Sequence, residues 1–544
     1  MKFIKPTLAA FAVFLLSVSS LAQKKAVESI TVDDLKMHLE FIASDELEGR
    51  ETGEPGLNIA ARYLAAQAAH VGLTPMNGDE GYLQHYIIEQ KSYDLETSGI
   101  RIVSKDGDVR TNHEPFYAIP GVNKDTVKIS GEVVFAGYGI KDDGNEYNDF
   151  AEIDMSGKIV LIMNRGPMNE DGTEGQFGDK YLGMQSIGSK MQELMKYQPK
   201  TILLVMDPKS GMLSLEDLRP GISNYLSRSR SMKKEGADPF EGARPPSMFI
   251  IHRTVADDLL NGTGKTLEEL QRMIDQSLEP QSFLIGNKTI DICLVTKRED
   301  LSVPNVFGML EGSDPELKDE IVIFMAHFDH VGKDASGGIY NGADDNGTGT
   351  VALIEIAEAF VNNKKPPKRS IGFLWVSAEE IGLFGSSYFA DHPLVSLEQI
   401  AAAINMDMIG RTVSEEDIAN GRKGMTIVGR DSVKVIGGKQ STVLMEINEK
   451  TLDEMGLHAN YTYNDINHPD RYFYRSDHIN FARKDIPVLF YSTGTHSDYH
   501  EQSDEISKID FEKFQHMTRF IYKVGYNVAN FQGEITVDNP MSEW

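Results

Sequence analysis

The chain has 544 residues, 40% of them hydrophobic and 25% charged, which is ordinary for a soluble globular protein and long enough for two or three folding units. Against 54 Lys+Arg stand 82 Asp+Glu, a formal net charge of -28. That balance argues against nucleic acid or an anionic membrane as partner, because both need positive charge to displace counterions.

In chain order, Lys2 and Lys5, the apolar run Leu8 to Val18 and the small-residue pattern Ser20-Leu21-Ala22 predict a signal peptide over residues 1–22. The protein is then expected in a periplasm or outside the cell. That apolar run is too short to cross a bilayer, and no other stretch is long and apolar enough to be a membrane span. Residues 31–72 read as two helices. Leu35, Leu39 and Ile42 share a face of the first, and Ala60, Tyr63, Leu64 and Ala68 share a face of the second. The breaker-rich, charged turn Leu47 to Gly56 between them suits a loop beside a polar site.

From about 115 to 290 short β-rich runs, Gly131 to Gly139, Lys158 to Met163 and Thr201 to Met206, alternate with Gly/Asp/Asn turns, with a helix expected near Gln185 to Tyr197. Arg219 to Pro246 reads as a long polar loop. The single cysteine, Cys293, forms no internal disulfide and is expected to be a buried strand residue. The acidic loop Asp142-Asp143-Gly144-Asn145-Glu146 offers oxygens to Ca2+, against the commoner reading of such a loop as a solvated turn.

Beyond 291 strands alternate with helices. Ile321 to Met325, Ile371 to Val376, Ala401 to Asn405 and Ile486 to Tyr491 are near-continuous apolar runs, as expected for strands buried on both faces of a mostly parallel sheet. Helices are expected near Thr348 to Val361 and Phe511 to Ala529. The predicted fold class is α/β, a mixed, mostly parallel sheet flanked by helices, with an inserted β-rich module.

Ligands of open α/β sheets bind beyond the carboxyl ends of the strands. There the sequence places Ala326-His327-Phe328-Asp329-His330, the loop Gly342 to Gly349 containing Asp344-Asp345, then Glu379-Glu380, Asp407 and Asp498-Tyr499-His500. A lone Asp or His after a strand is usually a cap or turn residue. Four successive strand ends that each deliver Asp, Glu or His point instead to a metal centre. Asp345, Glu380 and Asp407 would repel one another in a desolvated pocket, and two divalent cations with a hydroxide neutralise them. Imidazole plus carboxylate suits Zn2+, with Mn2+ or Co2+ as alternatives. Two such ions polarise a carbonyl and generate hydroxide near neutral pH. His330, His496 and Asp344 read as loop residues near the site.

The pieces His327-Phe328-Asp329-His330, Gly342 to Gly349, Glu379-Glu380, Asn405-Met406-Asp407-Met408, Ser476-Asp477-His478 and Tyr499-His500 resemble the co-catalytic zinc exopeptidase family of leucyl-type aminopeptidases, glutamate carboxypeptidase II and the transferrin receptor. The resemblance implies that Asp345 bridges two Zn2+. His327 and Asp407 complete one site, and Glu380 and His500 the other. It further implies that Glu379 is the general base, that Asp329 orients His327, and that Tyr499 donates to the oxyanion. Val134 to Ile140 and Asp154 to Val160 resemble a protease-associated domain.

On that likeness residues 23–115 begin the peptidase domain, 116–290 form the insert, 291–530 the catalytic domain and 531–544 a tail. The expected activity is removal of N-terminal residues from peptide substrates by metal-hydroxide attack. The alternative is a carboxypeptidase or acidic-dipeptide peptidase, which would need cleft arginines; Arg219, Arg228, Arg230, Arg244, Arg411 and Arg422 are candidates. A one-zinc glutaminyl cyclase and a non-catalytic binding protein are disfavoured by the complete ligand set. Oligomeric state and side-chain preference are left open by the sequence.

Overall fold

Four apolar runs of the C-terminal half become strands buried along nearly their whole length: β1 (Ile321–His327), β2 (Ser370–Val376), β3 (Ile400–Met406) and, later in the chain, Val488–Ser492. This computed structural model describes residues 25–94, 96–119, 125–183, 185–218, 226, 228–233, 247–334, 336–419, 421 and 425–541. The expected signal peptide and most of the loop 219–246 lie outside the described residues, as do Arg219, Arg244 and Arg422. The chain divides into two compact units, Ile88–Asp300 and a second made of residues 1–87 with 301–544.

In the second of these, β2, β1, β3 and Val488–Ser492 run parallel in that spatial order. With β4 (Ser432–Gly437) introduced, Val488–Ser492 becomes β5, and these two pair antiparallel. On the other side of the sheet, Val306 to Leu310 pairs antiparallel with β2. The sheet is thus mixed, with a parallel centre.

Both faces are covered because side chains alternate along each strand. On β1, Ile321, Ile323 and Met325 join a core with Phe389, Ile479 and Phe481. Phe324 points to the opposite face, against Phe360 of α3. The helices introduced here are α1 (Val32–Ile42), α2 (Pro55–Val71), α3 (Gly349–Val361) and α4 (Phe511–Asn530). A Cβ at Gly525 of α4 would overlap the Phe324 ring, so glycine there lets helix and sheet approach closely. Truncating Phe324 to alanine would cost about 3–5 kcal/mol.

The two helices expected within residues 31–72 form, the second starting at Pro55 inside the expected turn. Thr31 caps α1 by accepting from the Asp34 amide, and Leu35, Leu39 and Ile42 are fully buried. Pro55 opens α2 and Gly72 closes it in the left-handed conformation.

The unit Ile88–Asp300 holds a sheet in which Thr126–Phe135, Ile159–Met163, Thr201–Val205 and Met248–Ile251 run parallel. Phe283 to Val295 and Gly99–Ser104 add antiparallel strands. Helices Gln185–Leu194, Arg253–Leu260 and Leu267–Ser277 accompany it. The unit begins earlier than the 116–290 expected from sequence, because Ile100 and Ile102 pair with Ile292 and Ile290, partners about 190 residues away that no local pattern reveals. Cys293 is on the expected strand but half-buried, since Ile292 and Leu294 take the inward positions. No helix among the described residues is long and apolar enough to cross a membrane.

Candidate metal centre

The carboxyl ends of β1, β2, β3 and β5 converge on one pocket. His327 is the last residue of β1, Glu379 and Glu380 follow β2, Asp407 follows β3, and Tyr499 and His500 lie in the loop after β5. Asp345 comes from the segment Ala343–Thr348 that leads into α3. That segment turns tightly. Gly342, at φ 56°, has no room for a side chain, since a Cβ would overlap the Asp345 carbonyl and the His330 ring.

Two groups of donors result, His327, Asp345 and Asp407, and His330, Asp345, Glu380 and His500. Asp345 belongs to both and turns one oxygen to each. His327 Nε2 lies 3.4 Å from Asp345 Oδ1 and 3.5 Å from Asp407 Oδ1. His500 Nε2 lies 3.2 Å from Asp345 Oδ2 and 2.9 Å from Glu380 Oε2. Donors held about 2.1 Å from a tetrahedral zinc stand about 3.4 Å apart, so these spacings fit that ion. His327 Nε2 and His500 Nε2 are buried without a hydrogen-bond partner, as expected of lone pairs aimed at a cation.

The electrostatics agree. Burial alone would lower the His327 pKa, but the Glu379 and Asp407 charges outweigh it and hold it well above its ordinary value. Burial also opposes the His500 charge, and contacts with Asp345 and Glu380 push it up to about 10. Burial raises Glu379 well above the usual carboxylate range, with His327 opposing and Glu380 and Asp407 adding to the rise. Asp345 falls well below that range despite burial, through His327 and His500. A cluster that must borrow protons to balance its charge is one that cations would neutralise.

Neighbouring groups hold this arrangement. His327 Nδ1 donates to the Asp329 carbonyl at 3.2 Å and lies 3.7 Å from the Asp329 carboxylate. That carboxylate, fully buried, accepts from the amides of Glu379 and Glu380 at 3.1 and 3.3 Å and from Thr52 at 3.2 Å. Ser476 donates to Asp407 at 2.8 Å. Asp504 accepts from the amides of Asp344 and Asp345. Tyr499 lines the pocket and stacks on His500 with ring centroids 3.9 Å apart.

Three residues differ from their sequence reading. His330 is no bystander: it is buried, and its Nδ1 contacts Glu380 Oε1 at 2.7 Å. Asp344 and His496 are likewise buried as a pair, 3.3 Å apart, rather than loose in loops. Arg50 was not singled out by sequence at all. Fully buried, it donates to the carbonyls of Phe328, Asn341 and Gly342, tying the turn after α1 to both ligand loops. Burial lowers its pKa to about 10 against the pull of Asp329, Asp345, Asp504 and Glu380. The signal was the charge in that breaker-rich turn.

Of the arginines considered for substrate carboxylates, Arg411 is engaged by Asp498 at 2.8 Å, and Arg230 donates to Gln90. Arg475, not among them, lines the pocket. The loop proposed for calcium has its Asp142 carboxylate taken by Lys180 and Tyr181, and neither donor group found among the described residues includes it.

Sheet and site together define an α/β protein with a cluster of candidate metal donors at the carboxyl edge of a mostly parallel sheet. Residues 305–525 match the family model of Peptidase family M28. Leucine aminopeptidase 2 of Arthroderma otae is 27% identical over 210 residues, 38% of this chain and 37% of that protein. Leupeptin-inactivating enzyme 1 of Streptomyces exfoliatus is 33% identical over 107 residues, 20% of this chain and 22% of that protein. The chain thus matches little more than a third of the length of that leucine aminopeptidase. In fold it is similar to the aminopeptidase from Aneurinibacillus sp. strain AM-1, with a TM-score of 0.51, 16% identity and coverage of 95% of this chain and 98% of that one. It is also similar to the zinc aminopeptidase BSAP from Bacillus subtilis, with a TM-score of 0.50, 16% identity and coverage of 93% and 98%.

Proposed function

We propose that this protein is an exported di-zinc aminopeptidase that removes N-terminal residues from peptides. The observation that carries this reading is Asp345, whose two oxygens face two separate donor groups, with His327 and Asp407 on one side and Glu380 and His500 on the other. Asp345 would bridge the two ions and each pair would complete one site. Divalent cations bound there supply Lewis acidity that polarises a carbonyl and acidifies water.

The chain's own side chains do the rest. Glu379, buried 4.0 Å from His327 Nε2, is placed to take a proton from the attacking water at a carboxylate oxygen and return it to the leaving amine. Tyr499 donates its hydroxyl to the developing oxyanion. Asp329 fixes the Glu379–Glu380 backbone, and through its own carbonyl the ring of His327. The free ammonium of a substrate N-terminus finds the carboxylates of Glu379, Glu380 and Asp407 in the pocket wall.

We assign the unit Ile88–Asp300 as the protease-associated-type module. The enzyme acts in a periplasm or after release. The test is a zinc titration: chelator-treated protein regains hydrolysis of aminoacyl-p-nitroanilides as zinc is added, reaching its plateau at two equivalents. A plateau at one equivalent, or activity that persists without metal, would overturn the two-ion reading.

A further inference from the structure

We propose that Arg475 binds a carboxylate of the substrate, so that the pocket beside the metal centre selects peptides with an anionic group next to the scissile bond. The inference rests on the peptidase reading above and deepens it.

The pocket is walled by Met408, Tyr472, Phe490, Ser492, Thr495 and Arg475, together with the metal-site carboxylates. Met408, Tyr472 and Phe490 offer apolar surface to the stem of a side chain. The polar atoms of this wall are engaged with one another. Tyr472 Oη donates to Thr495 Oγ1 at 2.9 Å and contacts Thr426 Oγ1 at 2.8 Å. Ser492 Oγ accepts from the Gly494 amide at 3.0 Å and faces the Met408 carbonyl at 3.3 Å.

The exception is the Arg475 guanidinium. It is exposed, lies 5.0 Å from the centroid of the Tyr472 ring, and has no carboxylate partner among the described residues. Tyr472 is itself buried and pinned at its hydroxyl, so the cation rests on a rigid platform. A planar guanidinium whose donors are free is suited to bidentate capture of a carboxylate. In the wall of a pocket that otherwise carries only acids, it also repels a lysine or arginine side chain.

Two substrate groups present that chemistry, the side chain of an N-terminal Glu or Asp and the terminal carboxylate of a dipeptide. Zinc-loaded wild type, Arg475→Gln and Arg475→Lys are compared on two pairs, glutamyl- against glutaminyl-p-nitroanilide and Leu-Leu against Leu-Leu-amide. The wild type is expected to prefer the anionic member of at least one pair by roughly tenfold or more in kcat/KM. The first pair reports the side-chain source and the second the terminal carboxylate. Arg475→Gln should bring that ratio close to one while leaving the neutral member within about threefold, and Arg475→Lys should retain part of the preference. Cleavage with no anionic preference, or a preference that survives Arg475→Gln, overturns the proposal and leaves the aminopeptidase standing. Failure to cleave any of the four substrates overturns both.

Discussion

Replacing Asp329 by asparagine tests how the centre is held in register without removing any proposed metal ligand. The carboxylate is fully buried and accepts three hydrogen bonds, at Oδ1 from the Glu379 amide and at Oδ2 from the Glu380 amide and Thr52. The asparagine amide must put its NH2 where one of those oxygens stood. Whichever way it turns, it faces a backbone N–H, loses that bond and leaves two buried donors opposed. A hydrogen bond to a charged acceptor contributes about 1.5–3 kcal/mol, and an unsatisfied buried donor costs about 1–3 kcal/mol more. Removing a buried charge that burial and Glu380 already disfavour returns part of this. A net loss of about 3 kcal/mol is expected in the metal-free protein, read as the shift of its urea-unfolding curve. Because the amides concerned belong to Glu379 and Glu380 themselves, zinc affinity should also fall about 10- to 100-fold, measured by competition with a chromophoric chelator. Stability within about 0.5 kcal/mol of wild type together with an unchanged zinc affinity would refute the claim that Asp329 positions this loop.

Glu379→Gln keeps size and burial but removes the proposed proton acceptor; kcat is expected to fall by about 10²–10⁴ with zinc content unchanged, checked by steady-state kinetics beside elemental analysis. His330→Asn breaks the 2.7 Å contact with Glu380, so one of the two proposed zinc ions should bind about 10- to 100-fold more weakly while the other is little affected, read by metal titration. Glu355, buried on α3 with its pKa pushed up by burial to about 8, gives a pH signature. Its folded value lies above the unfolded 4.5, so the folded state holds the extra proton between these limits, and the stability this contributes is complete below pH 4.5 and lost as pH rises through 8. Glu355→Gln should therefore gain stability over wild type on going from pH 5 to pH 9, by a few kcal/mol in denaturant unfolding, and an equal offset at both pH values would contradict it.

What the sequence made legible follows from how locally each feature is encoded. The strands beneath the site are apolar on both faces, so they stand out as runs, and His327, Glu380 and Asp407 follow those runs closely. His330 did not stand out, because its meaning lies in a contact with Glu380, 50 residues on and from another strand end. Arg50 is harder still. A charged residue in a turn reads as solvated, and its full burial depends on carbonyls up to 292 residues away, at Phe328, Asn341 and Gly342. Arg475 sits one residue before a recognisable motif, and only the fold turns it toward the pocket. The limits of the unit Ile88–Asp300 were blurred for the same reason. Gly99–Ser104 carries an ordinary alternating pattern, and what assigns it to that unit is pairing with residues 288–293.

The most direct test of the central claim is to incubate the zinc-loaded protein with an unblocked peptide and with its N-acetylated twin, with and without a chelator, and to follow the products by mass spectrometry. The account predicts stepwise loss of residues from the N-terminus of the unblocked peptide, survival of the acetylated one, and arrest by the chelator. Shortening of both peptides from the C-terminus, or no cleavage of either after zinc is restored, would contradict it.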